Sequence, residues 1–368
     1  MNVNLDLITP LWTADATKKA RHVEGTGLVG SLRWWYEALV RGLGGWACDP
    51  AGEDGRCGLD GEAYSKRRRQ GCEHAGEGHL CPACEAKALA ECGLCPACQV
   101  FGATGWAKMF TITIGDGTGD GYPPTGRGRV QTIGNRSNRE GKPSAWYFPR
   151  GRPGPLSLTL LPRRPNDSEI VPLILGLLEF IRRNAGLGAK TNLGYGIFDW
   201  KVLPEVQPDA TAFAAEIARR ARVGQQGGAG RWPDLREMFF AEVSLRELWK
   251  PVDFANFKYD LRAVFRQGKA TRGLRRFLLG TVKDDPNQAS KIKMALLPDR
   301  RTLRVWGWAP EDLREAAGRM NRATVMGLIH RQVRQAGPIS CWREFDSARD
   351  TVSRFTGPEA YLRSLMEE

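Results

Sequence analysis

Histidine is scarce, four residues in 368, and two of the four lie inside a cysteine-rich stretch. That leaves His22 as the plausible histidine base for acid–base chemistry outside that stretch. Long apolar runs are also missing: the opening MNVNLDLITPLW alternates and carries no basic leader, which argues against a secretory signal or membrane anchor and points to the cytoplasm. Acidic residues are in deficit, 41 Asp and Glu against 54 Lys and Arg, a net charge of +13 that makes a polyanion the natural partner. A phosphate-binding P-loop is absent too. GlyAlaLysThr at 188–191 has Ala189 before the lysine, lacks the required glycine spacing and sits between a helix and a strand, so a nucleotide-hydrolysing reading fails.

What is present begins with TGLVGSLRWWYEALVRGLGG, residues 26–45. Leu28, Val29, Leu32, Tyr36, Leu39, Val40 and Leu43 recur at helical steps, and Arg33, Glu37 and Arg41 form a ladder expected to face outward. A strand over 2–9 precedes this helix. Between them lies a polar link with Asp15, which either positions a metal or water or simply caps a turn.

Eight of the nine cysteines fall between Cys48 and Cys98. In a reducing compartment such density points to metal ligation rather than disulfides. Cys81-Pro-Ala-Cys84 and Cys95-Pro-Ala-Cys98 have the spacing of two thiolate knuckles, so a structural Zn2+ drawn from a pool of Cys48, Cys81, Cys84, Cys95 and Cys98 is expected, with one ion or two left open. A thioredoxin-like context for redox chemistry is lacking.

Lys108 opens a further strand, and residues 115–155 are dense in Gly and Pro, with Arg127, Arg129, Arg136, Arg139 and Arg150 interleaved with rings such as Trp146. Cations follow a phosphate backbone and rings stack on unpaired bases, so this mixture suits single-stranded nucleic acid. Strands at 156–161 and 197–203 flank an apolar helix at 168–184 and the Gly-rich loop 186–196, whose Lys190, Thr191 and Asn192 offer donors to an anion. The plan is α+β: a βαββαβ, ferredoxin-like domain over 1–203 with a cysteine-rich insertion at 48–98. A linker follows at 204–230, and then a mainly helical domain over 231–368 with a hairpin at 291–308, or a second, degenerate unit of the first kind.

ThrProLeuTrpThr, the 25–45 helix, CysProAlaCysGlnValPheGlyAlaThrGlyTrp, the 186–196 loop and ArgValTrpGlyTrp together resemble the RAMP superfamily, and within it the first subunit of Cmr (type III-B CRISPR) effector complexes. The resemblance implies RRM-like domains and a non-catalytic subunit that contacts guide RNA and target RNA near the guide 3′ end in antiviral defence, beside other Cmr subunits. It puts the Gly-rich loop at the RNA and makes the helix with Arg33 the most recognisable segment; Arg41 and the remaining RNA contacts rest on charge and ring placement. Two other readings stand beside it: an endoribonuclease acting through His22 or Asp15, and a protein-only scaffold.

Overall fold

Alternation in β1 (Asn2–Leu11) turns Val3, Leu5 and Leu7 inward and leaves Asn2 and Asp6 exposed. In the computed structural model, every residue is described except 50–55, 75–78, 139, 166, 203–204, 225–231, 282–287, 312, 314–319, 353–354 and 368. The apolar stripe read at 26–45 forms α1 (Gly25–Gly42), whose Leu28, Leu32, Tyr36 and Leu39 are fully buried. Three helices of the insertion follow, α2 (Gly61–Gln70), α3 (Pro82–Glu91) and α4 (Pro96–Phe101). The chain then runs through β2 (Phe110–Asp116), the small ribbon of β3 (Arg129–Gln131) and β4 (Ala145–Tyr147), β5 (Arg152–Pro162), α5 (Ile170–Asn184) and β6 (Phe198–Val202). The first sheet has the order β2-β5-β1-β6, and β1 is antiparallel to both of its neighbours. With the insertion and ribbon set aside, this is βαββαβ with the ferredoxin-like strand order.

After α6 (Ala210–Ala221), the same plan recurs in β7 (Met238–Ser244), α7 (Pro251–Gln267), α8 (Arg272–Leu279), β8 (Ile292–Leu296), β9 (Thr302–Trp308), α9 (Arg322–Ala336) and β10 (Ile339–Glu344). Its sheet order is β10-β7-β9-β8, antiparallel throughout. The mainly helical reading of 231–368 therefore gives way to the alternative, a second ferredoxin-like unit. Its central strand β7 is buried along most of its length, so no polar alternation announces it. The final helix, α10 (Pro358–Glu367), returns to α5, where the Leu365 carbonyl accepts from the Asn184 amide at 2.8 Å.

The two units share their interior. Trp35 of α1, Phe180 of α5 and Phe240 of β7 form an aromatic trio with centroids 5.5 to 6.3 Å apart. Arg304 of β9 pairs with Glu242 at 2.8 Å and donates to the Arg182 carbonyl at 2.6 Å, meeting an unpaired end of α5. The helices of the first unit are thus covered by its own sheet on one side and by the second sheet on the other. The far face of the first sheet stays open and carries Asn4, Asp6, Thr111, Thr113, Ser157 and Thr159. It holds no aromatic ring among the described residues, so the base-stacking platform of RRM sheets is absent there.

Candidate metal centres and nucleic-acid interface

The cysteines segregate into two quartets, each gathering ligand atoms within 4.8 Å of one another: Cys48, Cys57, Cys95 and Cys98, all buried, and Cys72, His74, Cys81 and Cys84, nearer the surface. Each knuckle anchors a different quartet. Cys81 and Cys95 are the N-caps of α3 and α4, and Pro82 and Pro96 occupy the first helical positions. In the inner quartet the Cys48 and Cys98 sulfurs are 3.4 Å apart, and Cys48 and Cys95 are 3.8 Å apart. Tetrahedral thiolates around one ion with bonds of ~2.3 Å stand ~3.8 Å from each other, so the residues fit such a group. The backbone N–H groups of Cys95 and Cys98 donate to the sulfurs of Cys57 and Cys95. In the outer quartet the Cys81 N–H, the largest influence on Cys72, helps draw that thiol down to about 6, while Cys84 beside Cys81 and Cys72 is pushed up to about 11. Sequence spacing missed Cys57, Cys72 and His74 because single ligands from distant loops carry no local pattern.

The charged ladder of α1 does not face solvent; it turns into the inner quartet. The Arg33 guanidinium donates to Glu37 at 2.8 Å, to the Gly102 carbonyl at 2.9 Å and to the Cys98 sulfur at 3.1 Å. Burial opposes the Arg33 charge, but Glu37 and Cys98 outweigh it and hold the group protonated. Arg41 is buried and donates to the carbonyls of Ala47, Cys48 and Pro233. Both arginines are therefore engaged inside the protein, where opposite charge and orphan carbonyls replace water.

The Gly-rich loop closes on the end of β1. Leu187 N–H donates to the Gly196 carbonyl, Gly196 N–H to Pro10 and Ala189 N–H to Trp12, all between 2.8 and 3.1 Å. Gly188, Lys190, Gly194 and Gly196 have positive φ. At Gly196 a side chain is impossible, since an added Cβ would stand 1.9 Å from the Leu187 carbonyl oxygen. This backbone places the Lys190 amine 4.3 Å over the Trp12 ring. Burial lowers the Lys190 pKa from its ordinary value.

Around this pair opens a cavity of about 660 Å³, lined also by Lys18, Lys19, Arg21, Arg150 and Arg152. Its one carboxylate, Asp120, is held by Arg152 at 2.8 Å. Lys18, Lys19 and Arg21 escaped the sequence reading; the signal was the cationic run in the β1–α1 link, which the topology folds against the Gly-rich loop. Thr191 is buried and Asn192 half-buried in the single 3-10 turn that follows Lys190.

The other sequence candidates are dispersed. Lys108 lies half-buried with its amine 5.7 Å from the Phe110 ring. Arg127 is exposed, and Arg129 is exposed over the Tyr147 ring. Arg136 makes a two-point ion pair with Asp260 of α7, at 2.7 and 2.9 Å, and Trp146 packs on the second core. Arg139 lies outside the described residues. Asp15 accepts from the Thr17 amide and hydroxyl and from the Lys19 amide, which ties the link into a turn and lowers its pKa, the Thr17 hydroxyl first. The His22 side chain is exposed; its carbonyl accepts from Thr13. No described helix is long and apolar enough to cross a membrane.

Comparison with known proteins places these features in a family. No curated protein matches the sequence. Among solved structures, Cmr1 from Pyrococcus furiosus in its apo form is similar at 13% identity, over 92% of this chain and 97% of that one, with a TM-score of 0.45. A chain of the type III-B Cmr-beta bound to cognate target RNA and AMPPnP, in the presence of ssDNA, is similar at 9% identity over 91% and 99%, with a TM-score of 0.42. The profile of the RAMP superfamily matches residues 4–199, the stretch that runs from β1 through the Gly-rich loop into β6, and the chain belongs to that superfamily.

Proposed function

We propose that this chain is a non-catalytic RNA-binding subunit of a cytoplasmic type III-B CRISPR (Cmr) effector, contacting guide RNA and target RNA beside other Cmr subunits. The observation that carries the reading is the cavity around Lys190 and Trp12, where five further cations meet one carboxylate that is already paired. Lysine and arginine contacts to phosphates release counterions and impose no sequence preference, which suits a subunit whose specificity comes from base pairing. The motif resemblance to the first Cmr subunit and the RAMP superfamily match support the same assignment. The Asp15 carboxylate is engaged in its own turn, accepting from the Thr17 and Lys19 amides, which supports the non-catalytic reading over metal-dependent cutting at that residue.

Zn2+ is the ion proposed for both quartets, since four cysteines, or three cysteines with one histidine, are tetrahedral donor sets of structural zinc. There the inner ion would tie the start of the insertion to α4 beside Arg33 of α1, and the outer ion would tie the segment after α2 to α3. The test of function is binding of a labelled single-stranded RNA by the metal-loaded chain across a potassium chloride series, with products resolved from the same samples. Salt-sensitive binding of intact RNA that weakens in Lys190→Gln supports the reading. Discrete cleavage products that vanish in His22→Ala or Asp15→Ala overturn its non-catalytic part.

A further inference from the structure

The edge strand β8 carries two cations that the cavity at Lys190 does not use. Ile292 and Met294 point into the second core, so Lys293 and Lys291, which stands just before the strand, share the opposite face. That face is turned to the first unit. The Lys293 amine lies 4.2 Å over the Trp34 ring of α1, and the Lys291 amine 4.6 Å over Phe277 of α8. Both lysines are half-buried and both amines reach solvent. Among the described residues neither has a carboxylate or hydrogen-bond partner; their amines meet rings only. Burial lowers Lys291 from its ordinary value, and burial, assisted by the Lys291 charge, lowers Lys293 to about 8. The two therefore feel one another. Like charges held together and partly desolvated destabilise the fold unless something anionic joins them.

A chain of contacts joins this pair to the cavity. The Gly188 N–H, two residues before Lys190, donates to the Ser31 hydroxyl oxygen of α1 at 2.9 Å. Trp34 stands one turn further along the same face of α1 and carries Lys293 over its ring. At the other end of the loop, Gly194 lies against the carbonyl of Met294, the residue after Lys293. We propose that Lys291 and Lys293 form a second phosphate-binding site at the boundary between the two units, taking adjacent backbone phosphates of the RNA strand whose neighbouring segment occupies the Lys190 cavity. This rests on the RNA-binding reading above. Residues two apart on one face of a strand start about 7 Å from each other, a spacing that suits successive phosphates of an extended single strand. Continuity with the cavity favours a polynucleotide over an acidic protein surface. Contacts of this kind fix the position of the strand and carry no sequence information.

The experiment uses the full, metal-loaded chain and a labelled mixed-sequence single-stranded RNA. In wild type, bound RNA is expected to protect Lys291 and Lys293 from amine acylation, read by mass spectrometry; unchanged labelling overturns the site. Protection by polyglutamate but not by RNA assigns the face to an acidic protein and overturns it too. In the pair Lys291→Gln/Lys293→Gln, loss of two phosphate contacts is expected to weaken binding about tenfold or more and to reduce the slope of log affinity against log salt by ~1.4. The pair Lys291→Arg/Lys293→Arg keeps both charges and is expected to keep the slope. If it loses as much slope as the glutamine pair, the lysines act by packing and the site is overturned. If Lys190→Gln weakens binding while the glutamine pair leaves affinity and slope unchanged, the site is overturned and the functional reading survives. If wild type binds no RNA, the functional reading fails and the site falls with it.

Discussion

The Arg33 guanidinium and the Cys98 sulfur are hydrogen-bonded at 3.1 Å, which places a permanent cation against a cluster of four buried thiols. A tetrathiolate ion carries net negative charge, and this arginine offsets it from the core helix. Partners of metal ligands typically tune affinity by about 10–100-fold. Arg33→Met is therefore expected to release inner-site metal to a chelator about 10–100 times faster, with the salt slope of RNA binding unchanged. A slope reduced by ~0.7 with metal retention intact would instead make Arg33 a phosphate contact.

The two quartets predict separable stoichiometry. Elemental analysis of the purified chain is expected to give two metal equivalents, falling to one in Cys57→Ser and to one in Cys72→Ser. The inner site is buried in the main core, so Cys57→Ser is expected to lower the thermal midpoint of the whole chain. Cys72 stands outside that core, and its variant is expected to leave the midpoint close to wild type. Equal metal content in either variant would show that its quartet is not a site.

Periodicity made the first unit legible. Alternation in 2–9 and helical spacing in 26–45 are consequences of one buried face, and they survive as β1 and α1. The same reasoning misjudged Arg33, Glu37 and Arg41, because a four-residue step marks a shared face without saying whether that face meets water or thiols. The second sheet was hidden by double burial, which erases alternation in β7. Two adjacent cysteines of each quartet were readable from CxxC spacing. Cys57 and Cys72 were not, since their places are set by where α2 and α3 bring the loops. The Lys190 cavity was half legible: its glycines mark the loop, but its partners Lys18, Lys19 and Arg21 arrive from the β1–α1 link.

Gly196 is expected to tolerate no substitution. An alanine Cβ would lie 1.9 Å from the Leu187 carbonyl oxygen, at a φ of +84° that side chains resist. Gly196→Ala is expected to cost at least ~2 kcal/mol in denaturant unfolding and to open the loop that positions Lys190. An unchanged unfolding midpoint would mean that the loop relaxes freely and is not the rigid support described.

Glu179 on α5 gives the acid dependence of stability. Its carboxylate accepts from Arg182, Arg183 and the Trp200 indole; burial works against its charge, but these partners, Arg182 foremost, bring the pKa down to about 2. A depressed carboxyl stabilises above its unfolded value near 4.5, and that contribution is lost as pH falls from there toward 2. The difference amounts to about 3 kcal/mol at most, less what solvent screening removes. Glu179→Gln is expected to flatten unfolding free energy between pH 4.5 and 2 relative to wild type. Parallel pH profiles for the two proteins would assign the acid loss elsewhere.

The helical layer of the first unit, roofed on one side by its own sheet and on the other by its neighbour's, changes what the repeated architecture means. A tandem repeat joined by a tether can be cut and studied in halves, but here Trp35 and Phe180 would lose their cover and Phe240 its floor. The segment at 204–230 is a seam in the sequence rather than a border in the molecule. The Gly-rich loop itself touches both halves, the Gly196 N–H donating to the Pro10 carbonyl of the first and Gly194 lying against the Met294 carbonyl of the second.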